Sequence, residues 1–162
     1  MLALPGVIHS LHPLVTNKGI DICEERGDCF FVMDLNEAGA SVNQAVANVA
    51  GIDTNYAAVY YPWVKVLDTA ANRPVLVPPS VIVPGAIAAS DRTAAEWFAP
   101  AGLNRGVLGN VIEAKIRLNQ AERDTLYNEK INPIATFPQT GVCIWGQKTL
   151  QERSTALDRI NV

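Results

Sequence analysis

Two stretches of this chain, residues 74–90 and 131–147, carry no charged side chain, and prolines cut both of them. The first holds Pro74, Pro78, Pro79 and Pro84 beside Gly85; the second holds Pro133, Pro138 and Gly141. Proline lacks an amide hydrogen and its ring clashes with the preceding helical turn, so neither stretch can run on as one long helix. A membrane-spanning helix needs about 20 mainly apolar residues. No membrane insertion is expected, and the stretches should instead form short buried elements separated by turns.

The rest of the composition fits that picture. Lys and Arg number 13 and Asp and Glu 16 in 162 residues, so 18% of the chain is charged while 49% is hydrophobic. A usual soluble domain is about 25% charged. The deficit excludes a disordered tail, which needs the opposite balance. It suits a subunit whose surface is covered by neighbours, because little charge must then be desolvated. A net charge of −3 and a pI near 5.3 argue against direct binding of nucleic acid. The length is that of one domain and allows about 69% of the unfolded surface to be buried. Cys23, Cys29 and Cys143 cannot all pair, and no basic segment precedes an apolar run at the N-terminus. A reducing compartment and no secretion signal are therefore expected.

Along the chain, residues 1–20 give little pattern. Residues 19–27 should be the tail of a helix that Gly27 ends. Residues 28–35 (DCFFVMDL) are a nearly unbroken apolar run, as in a strand buried on both faces. Ser41 and Gln44 match a capping box, and Val42, Val46 and Val49 place one apolar stripe on a helix over 41–50. Gly51 should end it. Residues 56–67 are rich in aromatic and β-branched types and predict a second strand, with an edge, a bulge or a break at Pro62. After a turn over 68–74, Pro78-Pro79-Ser80 suits a helix start, with Pro84 kinking or dividing the helix. Val81, Ala88 and Ala89 could share its inner face. Ser90 or Asp91 could cap a following turn through Trp97-Phe98, and residues 99–106 should be a loop. Over 107–118 the pattern fits strand or helix, and strand is favoured. Asn119 and Glu122 form another capping box for a helix to about Lys130, stopped by Asn132-Pro133. Residues 134–137 and 142–150 should be two strands around a turn. Alternating strands and helices predict an α/β (α+β) fold with a mixed β-sheet flanked by helices.

Chemistry is hard to find. His9 and His12 could approach one metal, but no third ligand stands at a recognisable spacing. Cys23 and Cys29 lie too far apart in sequence for a zinc knuckle and are expected to be structural. Gly102, Gly106 and Gly109 imitate a phosphate loop with the wrong spacing, and Gly146-Gln147-Lys148-Thr149 imitates part of a Walker loop without its upstream glycine. Glu122, Asp124 and Glu129 mix with Arg123 and Lys130, as on a solvated helix face. No nucleophile elbow or triad context appears. Trp63, Trp97 and Trp145 are expected in the core, as are Phe98 and Leu103. No catalytic, cofactor-binding or metal-binding residue is assigned; a small nucleotide-binding α/β enzyme is the alternative reading.

Several short words stand in a telling order: Glu24–Phe30, Trp97–Gly106 (WFAPAGLNRG), Leu126-Tyr127, Ile131–Ile134 (INPI), Gly146–Leu150 (GQKTL) and Ala156–Val162 (ALDRINV). In that order and spacing, residues 21–162 resemble the contractile tail sheath protein of phages, a family shared with contractile bacteriocins and type VI secretion sheaths. The resemblance implies a sheath-type core domain spanning 1–162, without the upstream inserted domains and C-terminal region of a whole sheath subunit. It implies a structural subunit, not an enzyme, that polymerises as helical rings around the tail tube. Contraction of those rings would drive the tube through the host envelope. The implied partners are further copies of the chain, the tail tube protein, and the baseplate and tail terminator proteins. The implied location is the virion, after assembly in the host cytoplasm, with no cofactor. Asn104 and Arg105 are the candidate interface or loop-locking residues, although in a glycine-flanked loop they could simply hydrogen-bond local carbonyls.

Overall fold

The computed structural model describes residues 1–36, 41–95 and 97–160. The chain begins with β1 (Leu2–Ile8), α1 (Pro13–Arg26), β2 (Phe31–Asp34) and α2 (Val42–Val49), followed by β3 (Ala57–Tyr61). Next come β4 (Val64–Asp68), β5 (Arg73–Val77), a 3-10 turn at Pro79–Val81, α3 (Val83–Thr93) and the single-turn α4 (Gly102–Arg105). β6 (Val111–Ala114), α5 (Gln120–Asn128), β7 (Ile131–Phe137) and β8 (Gly141–Ile144) complete the regular structure before a last 3-10 turn at Ala156–Asp158.

Among the described residues the strands form two sheets, ordered β1-β2-β3-β7-β8 and β5-β4-β6. In the larger sheet β1, β2, β3 and β7 run parallel and β8 is antiparallel to β7, so the sheet is mixed. The smaller sheet is antiparallel throughout.

Both faces of the larger sheet are covered, and the strand period of two sorts its side chains. Phe31 and Met33 of β2, with Ala57, Val59 and Tyr61 of β3, join Cys23 of α1, Ala45 and Val49 of α2 and Leu126 of α5 in one core. Val32, Ala58 and Tyr60 point the other way, to Val64 of β4, Val83 and Ile87 of α3, Ala114 of β6 and Ile144 of β8. This double burial explains why β2 and β3 read as continuous apolar runs. The molecule is thus a helix layer, a mixed sheet, and a third layer made of α3 and the small sheet.

The local signals act as expected in several places. Ser41 and Asn119 both close full capping boxes, with Gln44 and Glu122 reaching back. Gly27 ends α1 at φ 68°, its amide bonded to the Cys23 carbonyl. Pro62, joined to Tyr61 by a cis peptide, divides the run over 56–67 into β3 and β4, which belong to different sheets. Pro84 sits in the first turn of α3 and separates it from the 3-10 turn.

Elsewhere the structure corrects the sequence reading. The quiet stretch over 1–20 contains β1 and most of α1. Residues 73–77, left within and beyond a turn, form β5 as an edge strand, where Pro74 costs no sheet hydrogen bond. Ser90 does not cap a new turn but lies inside α3. The buried face of α3 is Val83, Ile87 and Ser90, while Val81 and Ala88 are exposed. The loop over 99–106 contains α4. Asn132-Pro133 does not precede the last pair of strands; Lys130 turns the chain at φ 65° and both residues enter β7.

Candidate assembly surfaces

Three of the distinctive words in the sequence meet at one place and hold the fold together. Asn132 is fully buried in β7. Its amide nitrogen donates to the carbonyls of Val59 (3.1 Å) and Lys148 (2.8 Å), and its oxygen accepts from the Lys148 amide (2.7 Å). One side chain therefore ties β3, β7 and the segment after β8. Gly146 is required beside it, because a Cβ there would stand 2.7 Å from the Asn132 oxygen. The following residues clasp the end of the chain: the Thr149 amide donates to the Asp158 carbonyl at 3.0 Å and the Ile160 amide to the Gln147 carbonyl at 2.8 Å. INPI, GQKTL and the described part of ALDRINV are thus one interlocked unit. Its last two residues, Asn161 and Val162, lie outside the described residues.

A second buried lock fixes the end of β2. The Asp34 carboxylate, 1% exposed, accepts from the backbone amide of Ser80 at 3.0 Å and from the Ser80 hydroxyl. Burial pushes its pKa up; the hydrogen bonds from Ser80 and from the Gly6 backbone oppose that rise. The pair joins β2 to the 3-10 turn before α3.

The WFAPAGLNRG segment behaves differently. Gly106 packs against the Ile144 carbonyl, where a Cβ would come within 2.5 Å, and the Ile144 amide donates to the Gly106 carbonyl at 2.8 Å. That anchors the end of the segment on β8. The Arg105 guanidinium lies over the Phe98 ring, 4.3 Å from its centroid, a contact worth about 0.5–1 kcal/mol at an exposed site. Its Nε has no hydrogen-bond partner among the described residues. Asn104 is exposed and Arg105 half-buried. Against expectation, Trp97, Phe98 and Leu103 are not core: they are 71%, 40% and 45% exposed. Trp145 is also at the surface, 40% exposed and stacked on Phe137 at 4.7 Å between centroids, and Trp63 is only half-buried. Of these, Trp97, Phe98 and Leu103 follow α3 and lie together in the chain before and within α4.

The helix layer presents another apolar surface, one that sequence reading missed. Leu11 just before α1, and Leu14, Val15 and Ile22 within it, are 66%, 84%, 47% and 39% exposed. At helical spacing Leu14, Val15 and Ile22 fall on one stripe with Lys18, within an arc of about 100°. The inner face of α1 is instead Thr16, Gly19, Ile20 and Cys23. Gly19 is there because Phe31 lies against it; a Cβ would stand 2.9 Å from the ring. Apart from Ile20, the inner face is small, and much of the helix's apolar bulk points outward.

The residues considered for chemistry have local structural partners. His9 Nδ1 lies 2.7 Å from the Thr16 hydroxyl, and burial lowers its pKa. The His12 ring accepts from the Ile8 amide at 3.3 Å. Among the described residues no group of three or more His, Cys, Asp or Glu is placed to hold a metal ion. Gly102–Gly109 lies between α3 and β6, not between a strand and a helix as a phosphate loop does. Lys148, at the Walker-like end, rests over the Tyr127 ring at 4.2 Å. Among the described residues no helix is long and apolar enough to cross a membrane.

Known proteins share this arrangement. The family model of the phage tail sheath protein central domain matches residues 1–150. The tail sheath protein of Enterobacteria phage T4 is 38% identical over a match that takes in 88% of this chain and 24% of that protein. A chain of the anti-feeding prophage baseplate superposes with a TM-score of 0.69 at 25% identity, covering 88% of this chain and 35% of that one. A chain of an extracellular contractile injection system sheath complex, in its contracted state, gives 0.65 at 32% identity over 82% of this chain and 35% of its own length. This chain therefore spans about a fifth to two fifths of the length of the proteins it matches. With a family match across nearly its whole length and a mixed α/β fold shared with solved sheaths, the chain belongs to the phage tail sheath family.

Proposed function

We propose that residues 1–162 form the α/β core of a structural subunit that polymerises as helical rings around a tail tube and contracts to drive that tube through a host envelope. The family match over residues 1–150 carries this reading. Two surface features support it. The α1 stripe lies on the helix layer and the Trp97–Leu103 patch lies on the third layer, so they are different patches on opposite sides of the sheet. An open helical polymer needs such heterologous contacts, one patch meeting another on the next copy, whereas a closed dimer uses one patch twice. The clasp around Asn132 supports motion of the unit as a rigid body, so that contraction repacks contacts between copies without refolding them.

In this reading the partners are further copies of the chain, the tail tube protein, the baseplate and the tail terminator, and the location is the virion after assembly in the host cytoplasm. Asn104 and Arg105 stand at the edge of the Trp97–Leu103 patch and would contact a neighbour. No catalytic residue or cofactor is part of the proposal. The nucleotide-binding alternative gains nothing from the fold, since both glycine-containing words serve backbone packing. The test is electron microscopy of the full-length protein under tail-assembly conditions. Helical tubes or stacked rings are expected; persistent monomers would overturn the proposal.

A further inference from the structure

The corner between α1 and β2 holds a pair of thiols to which the proposed function gives no part. Cys23, in the last turn of α1, is fully buried, and Cys29, just before β2, is half-buried. Their Sγ atoms stand 3.4 Å apart, both as free thiols. The turn that returns one to the other is fixed from both sides. Inside, Gly27 takes the left-handed conformation at φ 68° with its amide on the Cys23 carbonyl. Outside, Arg26 donates twice to the Asp28 carboxylate, at 2.9 Å each. A disulfide bond is about 2.05 Å long, so closure needs the sulfurs to move by little more than an ångström. Cys29 also lines an open cleft of about 720 Å³ with Gly27, Asp28, Tyr56 and Arg159, which gives a small reagent a way in.

We propose that Cys23 and Cys29 are a site of reversible oxidative modification, closed to an intramolecular disulfide by a low-molecular-weight disulfide such as glutathione disulfide. The exchange balances in two steps. The Cys29 thiolate attacks one sulfur of glutathione disulfide, the reagent's S–S bond breaks, and one glutathione thiolate leaves. The Cys23 thiolate then attacks Cys29 Sγ, the Cys23–Cys29 bond forms, and the second glutathione leaves. Two protein thiols are oxidised by two electrons, one disulfide is reduced to two thiols, and the two protein protons end on glutathione. Burial, with the hydrogen bond to Cys29, pushes the Cys23 thiol up to about 12, so the second step is slow near neutral pH and quickens as pH rises. Cys143 is fully buried in β8, three strands away from β2 in the sheet, and serves as an internal control.

The inference stands apart from sheath assembly, and its test reads the chain directly. Trypsin cuts after Arg26, between the two cysteines, so a Cys23–Cys29 disulfide would join peptide 19–26 to peptide 27–65. The folded protein is incubated with glutathione disulfide at pH 8, alkylated, digested without reductant and analysed by mass spectrometry. The expected product is the 19–26/27–65 pair, absent after dithiothreitol, with Cys143 alkylated. Cys29→Ser should abolish it while leaving the circular dichroism spectrum unchanged. Glutathione left on Cys29 without closure, linkage of either residue to Cys143, or two unreacted thiols would each overturn the inference.

Discussion

The clasp around Asn132 and the segment from Trp97 to Gly106 both carry dense, distinctive words, yet they sit in opposite environments. At the clasp every polar group of Asn132 is satisfied by backbone, and Gly146 leaves no room for another atom. The Trp97 segment is anchored at its end, through Gly106 on Ile144, and leaves Trp97, Phe98 and Leu103 71%, 40% and 45% exposed. An unmade buried hydrogen bond is expensive, so the clasp's residue types follow from the fold of the chain itself. The exposed parts of Trp97, Phe98 and Leu103 gain little from the isolated fold, which fits the proposal that a neighbouring copy covers them.

The contrast can be broken from its buried side first. Asn132→Leu strands the Lys148 amide and two carbonyls, and should lower unfolding stability by about 3 kcal/mol in urea titrations. Gly146→Ala, which forces a Cβ into Asn132, should cost about 2 kcal/mol in the same measurement. At the exposed end, Trp97→Ala should change stability by no more than about 0.5 kcal/mol while reducing tube yield of the full-length protein. A loss at Trp97 as large as that at Asn132 would erase the distinction.

What the sequence shows plainly is what depends on neighbours in the chain. The two capping boxes, the Gly27 stop and the break at Pro62 are local chemistry, and each appears where expected. β2 is legible because burial on both faces leaves a continuous apolar run. β1 is not: it holds Pro5 and Gly6 and takes its partner from the far end of α1. α1 misleads for a different reason, since its inward side includes Thr16 and Gly19 and its outward side Leu14, Val15 and Ile22. A pattern that assumes apolar means inside fails there, and fails again at Trp97 and Trp145. The failures at α1 and Trp97 fall on the surfaces proposed to meet neighbouring copies. The pairing of Asn132 with residues 146–148 was likewise invisible, because it is a contact between words that no spacing rule connects.

The central claim is that the two exposed apolar surfaces are contacts between copies. A helical reconstruction of the full-length sheath by cryo-electron microscopy, at side-chain detail, tests it most directly. The account predicts residues 11–22 and 97–103 buried against neighbouring subunits, on different faces of each copy. Finding both surfaces open to solvent in the assembled tube would contradict it.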